Sequence, residues 1–265
     1  MLIADLDDIA LHYREDGDPA GRPVLLVNSL GTDLRLWDRL VARLPARLRV
    51  IRYDKRGHGL SQAPAAPYAM DSLVDDAAAL LDRLEARGAV VVGCSIGGMI
   101  AQGLAHERPD LVAAMVLSNT AAKIGTPGMW GERIRTVGTG GIAALADAVM
   151  ERWFTPAFRA TPELVAWRNM LTRTPADGYA GCSAAIAGAD FTASTAALTL
   201  PTLAVAGDHD GSTPPELVRD TAGKIAGARF ELIGGAGHLP MVEQPDDFAR
   251  ALIAFIEETE NVRDS

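Results

Sequence analysis

Val91-Val92-Gly93-Cys94-Ser95-Ile96-Gly97-Gly98 decides how this chain is read. The apolar run Ala89–Gly93 before the serine has the make-up of a strand, and the pattern Ile96–Glu107 after it that of a helix. Between them lies G-x-S-x-G. A strand that turns into a helix within one residue leaves no room for Cβ atoms beside the turn, and glycines at 93 and 97 remove them. Ser95 is then expected on a strained backbone with its hydroxyl presented at the start of the helix, the setting a nucleophilic serine needs. The short pattern alone occurs by chance in many chains, and its plain alternative is a glycine-rich turn with an idle serine. A strand before it and a helix after it favour the nucleophile.

Short apolar runs and helical patterns alternate on both sides of this turn. The runs are Ile9–Tyr13, Val24–Asn28, Arg49–Tyr53, Ala89–Gly93, Ala113–Ser118, Thr202–Ala206 and Arg229–Ile233. Several are apolar throughout, as in strands covered on both faces. Helical patterns cover Asp71–Arg87, Ile96–Glu107, Pro215–Ala226 and Pro245–Thr259. The expected fold class is α/β, a mostly parallel sheet between helix layers. After Asn119 the alternation stops. Residues 121–197 hold no β-rich run and read as helices, Gly141–Trp153 and Pro162–Thr172 among them, broken by Pro and Gly. The expected organisation is a core of residues 1–120 and 198–265, with a helical cap of residues 121–197 inserted over the sheet's carboxyl edge, where ligands of open α/β sheets bind. The polar end, about Glu260–Ser265, is expected to fray.

A serine hydroxyl is a poor nucleophile near neutral pH and needs a base. His238 follows the last strand in the glycine-rich loop Gly234-Gly235-Ala236-Gly237-His238, which can carry an imidazole over the sheet edge. It is the expected base. His12, His58 and His106 read as structural or solvated, and His209 as exposed or touching the cap. The imidazole in turn needs an acid to fix its tautomer and stabilise its cation. The loop Gly207-Asp208-His209-Asp210-Gly211 offers two, of which Asp210 is preferred, leaving Asp208 to brace the loop. The order Ser, Asp, His along the chain agrees with the strand-turn-helix serine motif. Two backbone N–H groups should receive the oxyanion of an attacked carbonyl. Ile96, just after the serine, is expected to give one. Leu30, in the loop Asn28-Ser29-Leu30-Gly31-Thr32 after the second apolar run, is expected to give the other.

Composition narrows the classes of partner. The 265 residues carry 25 basic and 34 acidic side chains, a formal net charge of −9, with no basic cluster; a duplex nucleic-acid partner is disfavoured. Cys94 and Cys182 are too few for a disulfide framework and lack zinc-site spacing. The N-terminus has acidic residues where a signal peptide would be basic, and no apolar stretch is long enough to span a bilayer. A cytoplasmic protein without membrane attachment is expected. No feature bears on oligomeric state.

Gly93–Gly98 together with Asp210 and His238 resembles the α/β-hydrolase superfamily, whose fold is a mostly parallel eight-stranded sheet with helices on both faces and, often, a helical cap. Longer segments narrow the resemblance. They are Asn28–Asp33, Ser118–Gly125, Met129-Trp130 with Arg133-Ile134, Glu151–Pro156 and Gly178–Cys182. Together, from about residue 8 to 258, the chain resembles 3-oxoadipate enol-lactonases, hydrolases of aromatic breakdown by the β-ketoadipate pathway. The cap segments discriminate more than the triad motif, because caps vary most between activities. The resemblance implies a small acidic substrate, a five-membered enol lactone bearing a carboxymethyl arm. It also implies an acyl-enzyme on Ser95 and no metal or organic cofactor. It points to Arg133 as partner of the substrate carboxylate and Trp130 as a wall of the site. Arg152, Arg168 and Arg173 compete for the first role, and plain cap packing is the alternative for Trp130. Another carboxylesterase, lactonase or perhydrolase on the same scaffold stays open, as does a non-catalytic ligand-binding protein.

Overall fold

The computed structural model describes residues 1–261. Eight strands form one sheet: β1 (Leu2–Leu6), β2 (Ile9–Gly17), β3 (Arg22–Val27), β4 (Leu48–Tyr53), β5 (Ala89–Cys94), β6 (Val112–Ser118), β7 (Thr202–Gly207) and β8 (Arg229–Ile233). Their spatial order is β1-β2-β4-β3-β5-β6-β7-β8. β2 runs antiparallel to both neighbours, and every pair from β4 onward is parallel. Every residue of β5 and β7 is buried, which explains their unbroken apolar reading. β1 has no counterpart among the seven runs read from sequence. It is short, only Ala4 and Leu6 point into the core, and it folds back on β2 through a turn with Asp7 at φ 38°.

The longer helices flanking the sheet are Met70–Arg83, Ile96–Glu107, Pro215–Ala222 and, after β8, Pro245–Asn261, with short turns of helix at Leu34–Trp37, Asp38–Val41 and Pro240–Glu243. Two end earlier than their patterns suggest. After Arg83 the chain enters left-handed backbone at Glu85 and Gly88, and Ala222 is followed by the loop holding Gly227 at φ 76°. Pro245–Asn261 takes in Glu260; the rest of the tail expected to fray, residues 262–265, lies outside the described residues. Among the described residues no helix is long and apolar enough to cross a membrane.

Between β6 and β7 the chain leaves the sheet and forms helices Pro127–Gly140, Ala146–Trp153, Leu164–Thr172 and Ala176–Gly188, with shorter turns of helix among them. Thr126 caps the first, accepting a hydrogen bond from the Met129 N–H, and Pro127 follows it. Pro127–Gly140 packs on Ala176–Gly188. The latter docks on the sheet side where Gly178 meets Gly57 backbone to backbone: a Cβ at Gly178 would run into the Gly57 carbonyl oxygen.

That contact can be tested against helix propensity. Gly178→Ala gains about 1 kcal/mol of propensity but drives a methyl into main chain, at about 1–3 kcal/mol, so a net loss of about 1 kcal/mol is expected in urea unfolding. A midpoint equal to or above that of the parent would show that the two backbones part without cost.

Candidate active site

The turn at Ser95 has the geometry its glycines allow. Ser95 sits at φ 58° and ψ −119°, directly between β5 and helix Ile96–Glu107. A Cβ at Gly93 would strike the Gly97 carbonyl, and one at Gly97 the carbonyl of Val27 on β3. The Ser95 N–H donates to Ser118 O on β6 (3.0 Å), and its own carbonyl accepts from Gly98 N–H (2.9 Å) and Thr120 Oγ1 (2.6 Å). The backbone is therefore held from β6, from the loop that follows it and from the first turn of its own helix. Ser95 Oγ makes no hydrogen bond among the described residues and faces a cavity of about 140 Å³.

His238 lines the same cavity. Its Nδ1 lies 2.9 Å from Asp210 Oδ2, with both side chains buried. Its Nε2 lies 3.4 Å from Ser29 Oγ, a long contact. Asp210 is held by five donors. Ser212 N–H (2.7 Å) and Thr213 N–H (3.0 Å) reach Oδ1, while Asn119 Nδ2 (2.8 Å), Thr213 Oγ1 (2.7 Å) and the imidazole reach Oδ2. Burial alone would raise its pKa; the imidazole and these hydrogen bonds outweigh it, and the carboxyl is held below its ordinary value. Asp208 instead accepts from His209 Nδ1 (2.6 Å) and Ala236 N–H (3.2 Å), on the outside of the loop.

The helical segment between β6 and β7 is tied to these loops by its own backbone. Trp153 O accepts from His238 N–H (2.8 Å) and Arg152 O from Gly211 N–H (3.2 Å). Glu243 links the same region, accepting from Thr155 Oγ1 (2.6 Å) and Gly237 N–H (2.7 Å). Part of that segment thus belongs to the framework that holds the Asp210 and His238 loops.

Leu30 lines the cavity, and its N–H has no acceptor among the described residues. Ile96 opens its helix, so its N–H has no partner within that helix. Beneath the Leu30 loop lie two buried side chains. Lys55 Nζ donates to Ser29 O (2.6 Å), and His58 Nε2 accepts from Gly31 N–H (2.9 Å). An accepting Nε2 fixes the proton on Nδ1, which faces Arg56 O at 3.3 Å. Burial, with Lys55 nearby, pushes the His58 pKa well down.

Two guanidinium groups, Arg133 and Arg152, complete the cavity beside Trp130, Trp153 and Tyr179. Arg133 lies over the Trp130 ring, 4.8 Å from its centroid, and Trp130 Nε1 donates to Ile124 O (2.7 Å). Neither arginine has a carboxylate partner among the described residues. Burial, then repulsion from Arg133, lowers the pKa of Arg152. Tyr179 has its phenol pKa raised by burial, and both arginines pull it back. Arg168 pairs instead with Asp147 away from the cavity, and Arg173 lines a separate cleft.

A sequence model of the alpha/beta hydrolase family matches residues 4–251. The chain belongs to the alpha/beta hydrolase family. Over 250 residues, 93% of each chain, this hydrolase is 38% identical to 3-oxoadipate enol-lactonase 2 of Acinetobacter baylyi. It is 32% identical to that organism's 3-oxoadipate enol-lactonase 1 over 258 residues, 97% of this chain and 96% of that one. The enol-lactonase from Burkholderia xenovorans LB400 superposes with a TM-score of 0.93 at 38% identity, covering 97% of this hydrolase and 100% of the other.

Ser95, His238, Leu30, Trp130 and Arg133 all line the one cavity, with Asp210 behind the imidazole and Ile96 next to the serine. Ser29, Lys55, Asn119 and Thr213 add contacts for which the sequence held no reading, and His58, read as structural or solvated, is structural. Thr213 alone carried a usable signal: an Asp followed two and three residues on by N–H groups it can accept from is a common local turn.

The neutral His58 makes the stability of the alpha/beta hydrolase depend on pH. Its folded pKa lies below its unfolded value, so the unfolded chain binds the extra proton first as pH falls below about 6.5, and stability drops by up to about 1.4 kcal/mol per pH unit. His58→Gln, which keeps an acceptor for Gly31 N–H, should lose less between pH 7.5 and 5.5 in urea titrations. Identical acid losses in both proteins would remove His58 as the source.

Proposed function

We propose that this hydrolase opens 3-oxoadipate enol-lactone to 3-oxoadipate through an acyl-enzyme on Ser95, acting in the cytoplasm. The observation that carries the reading is the pair of unneutralised guanidiniums in the cavity that Ser95 and His238 also line. Two like charges lining one pocket without carboxylates favour an anion between them, and a guanidinium fork matches a carboxylate well. The 38% identity to an enol-lactonase, spread along 93% of both chains, supports the same substrate.

In this reading Ser95 Oγ attacks the lactone carbonyl while His238 Nε2 takes its proton, and Asp210 stabilises the resulting imidazolium. The N–H groups of Leu30 and Ile96 receive the oxyanion. Collapse of the tetrahedral species breaks the ring C–O bond, and the departing enolate takes up the proton carried by His238, which returns the imidazole to its neutral form, and ketonises to the 3-oxo group. Both parts of the opened ring stay joined to the serine as one acyl chain. Water, deprotonated by His238, then attacks the ester carbonyl and releases 3-oxoadipate. Residues 121–197 act as a cap domain over the 1–120 and 198–265 core, with Trp130 as a wall and Arg133, joined by Arg152, holding the carboxymethyl arm.

Three outcomes are expected. Ser95→Ala loses turnover and labelling by a fluorophosphonate; a labelled chain modified elsewhere would end the serine assignment. Asp210→Asn lowers kcat by about 10⁴, the cost of the same change in a comparable triad, whereas Asp208→Asn leaves it nearly intact. Arg133→Ala and Arg152→Ala each weaken carboxylate binding by about ten- to a hundredfold, the worth of a charged hydrogen bond. They should raise KM for the lactone far more than they lower kcat. Turnover of p-nitrophenyl acetate should hardly change, and equal losses on both substrates would take the arginines out of substrate binding.

A further inference from the structure

Lys55 is 1% exposed, and it makes its one hydrogen bond among the described residues not to a carboxylate but to the Ser29 carbonyl, 2.6 Å away. A buried ammonium is strongly disfavoured without an ion pair and tends to persist where it has a task. The acceptor suggests the task. Ser29 O and the Leu30 N–H belong to one peptide unit. That unit is trans, so its N–H points opposite to its C=O. With the carbonyl turned down onto Lys55, the Leu30 N–H is turned up toward the cavity that Leu30 lines. Thr32 Oγ1 (2.9 Å) and Thr32 N–H (3.3 Å) donate to the same oxygen. Three donors, one of them cationic, draw electron density to the carbonyl end and make the N–H a better donor. On the next peptide, Gly31 N–H is engaged by His58, so the loop is gripped on both sides of Leu30.

We infer that Lys55 is a positioning residue for catalysis, aiming and polarising the Ser29–Leu30 peptide so that its N–H meets the oxyanion. This rests on the reading of Leu30 as an oxyanion donor. The charge, not only the side chain's bulk, carries the effect. The groups facing the ammonium are Asp54 beside it, Asp33 on the β3 loop, Cys94 at the end of β5, Cys182 on the cap and His58 in its own turn. Burial outweighs the acidic groups and brings the Lys55 pKa down to about 8. Above that pH the peptide faces a neutral amine, a weaker donor.

The test uses p-nitrophenyl acetate, corrected for background hydrolysis, from pH 7 to 10. Lys55→Met keeps the stem and removes the charge. With a whole oxyanion donor worth on the order of 10²–10³ in kcat, a misaimed and unpolarised one should cost about 10- to 100-fold. KM should stay within about twofold, because the donor acts on charge that develops only in the transition state. The parent's kcat should fall toward the variant's level as pH passes 8, and the variant's should not fall further. An unchanged kcat in a folded Lys55→Met, or a rise in KM matching the loss in kcat, would overturn the role. Should Lys55→Met not fold, the parent's profile decides, since constant kcat to pH 10 would also overturn it. An amide-to-ester replacement at the Ser29–Leu30 linkage separates the two readings by deleting the N–H itself. If the ester keeps full kcat, Leu30 is no oxyanion donor and the role of Lys55 falls with it. If the ester loses kcat while Lys55→Met does not, the donor stands and the Lys55 inference fails.

Discussion

A serine at φ 58° and ψ −119° is the constraint around which the rest of the molecule is arranged. A side chain at positive φ costs on the order of 1–3 kcal/mol and persists only if its surroundings leave no alternative. Here β5 is clamped between β3 and β6 in parallel register, the residue's own N–H is taken by β6, and its carbonyl by Gly98 and Thr120. The strain is small beside the burial of a strand whose every residue is inside. In return, the hydroxyl stands clear of the sheet at a helix N-terminus, where it can be reached from above.

The order of the strands then does much of the assembly. From β3 through β5, β6 and β7 to β8, neighbours are parallel, so their carboxyl ends form one row. Along that row come the Leu30 loop, the serine, Asn119, the Asp210 loop and the His238 loop. Residues distant in sequence meet because each needs only to leave its strand at the same edge, which is why ligand sites of such sheets lie there. Asn119 shows how closely the row is knit. It follows β6 at φ 48°, gives its amide to Asp210, and its backbone carbonyl lies 2.7 Å from Thr213 Oγ1, so that it and Asp210 share the one hydroxyl proton.

What the sequence made legible follows from what physical pattern each feature leaves. Buried parallel strands leave apolar runs, and the serine turn leaves glycines that no other residue can replace, so β3 to β8 and the elbow could be read directly. β1 left no such pattern, since Leu2 and Ile3 are half exposed and acidic residues interrupt it. The cap could be read as helical but not as a set of contacts. Arg152 and Arg133 became distinguishable from Arg168 only once packing turned two of them into the cavity and paired the third with Asp147. Lys55 and His58 were the least legible. Both sit in Asp54-Lys55-Arg56-Gly57-His58, a polar run whose histidine could be read as structural or solvated and whose lysine reads as solvated, and only the folded chain around it buries both.

The charge of the protein and the charge of its cavity point in opposite directions, and distance decides which one a ligand meets. A net charge of −9 works against the approach of an anion, but at physiological salt exposed charges are screened beyond about 8 Å. Inside the cavity the two arginines act at contact distance and with less water between. Burial, and then repulsion from Arg133, lower the pKa of Arg152. The same cap segment that carries Arg152 gives its backbone carbonyls to the loops of Asp210 and His238. Arg152 and the backbone supports of the Asp210 and His238 loops therefore share one short stretch of chain, and a shift of that stretch would move the guanidinium and both loops together.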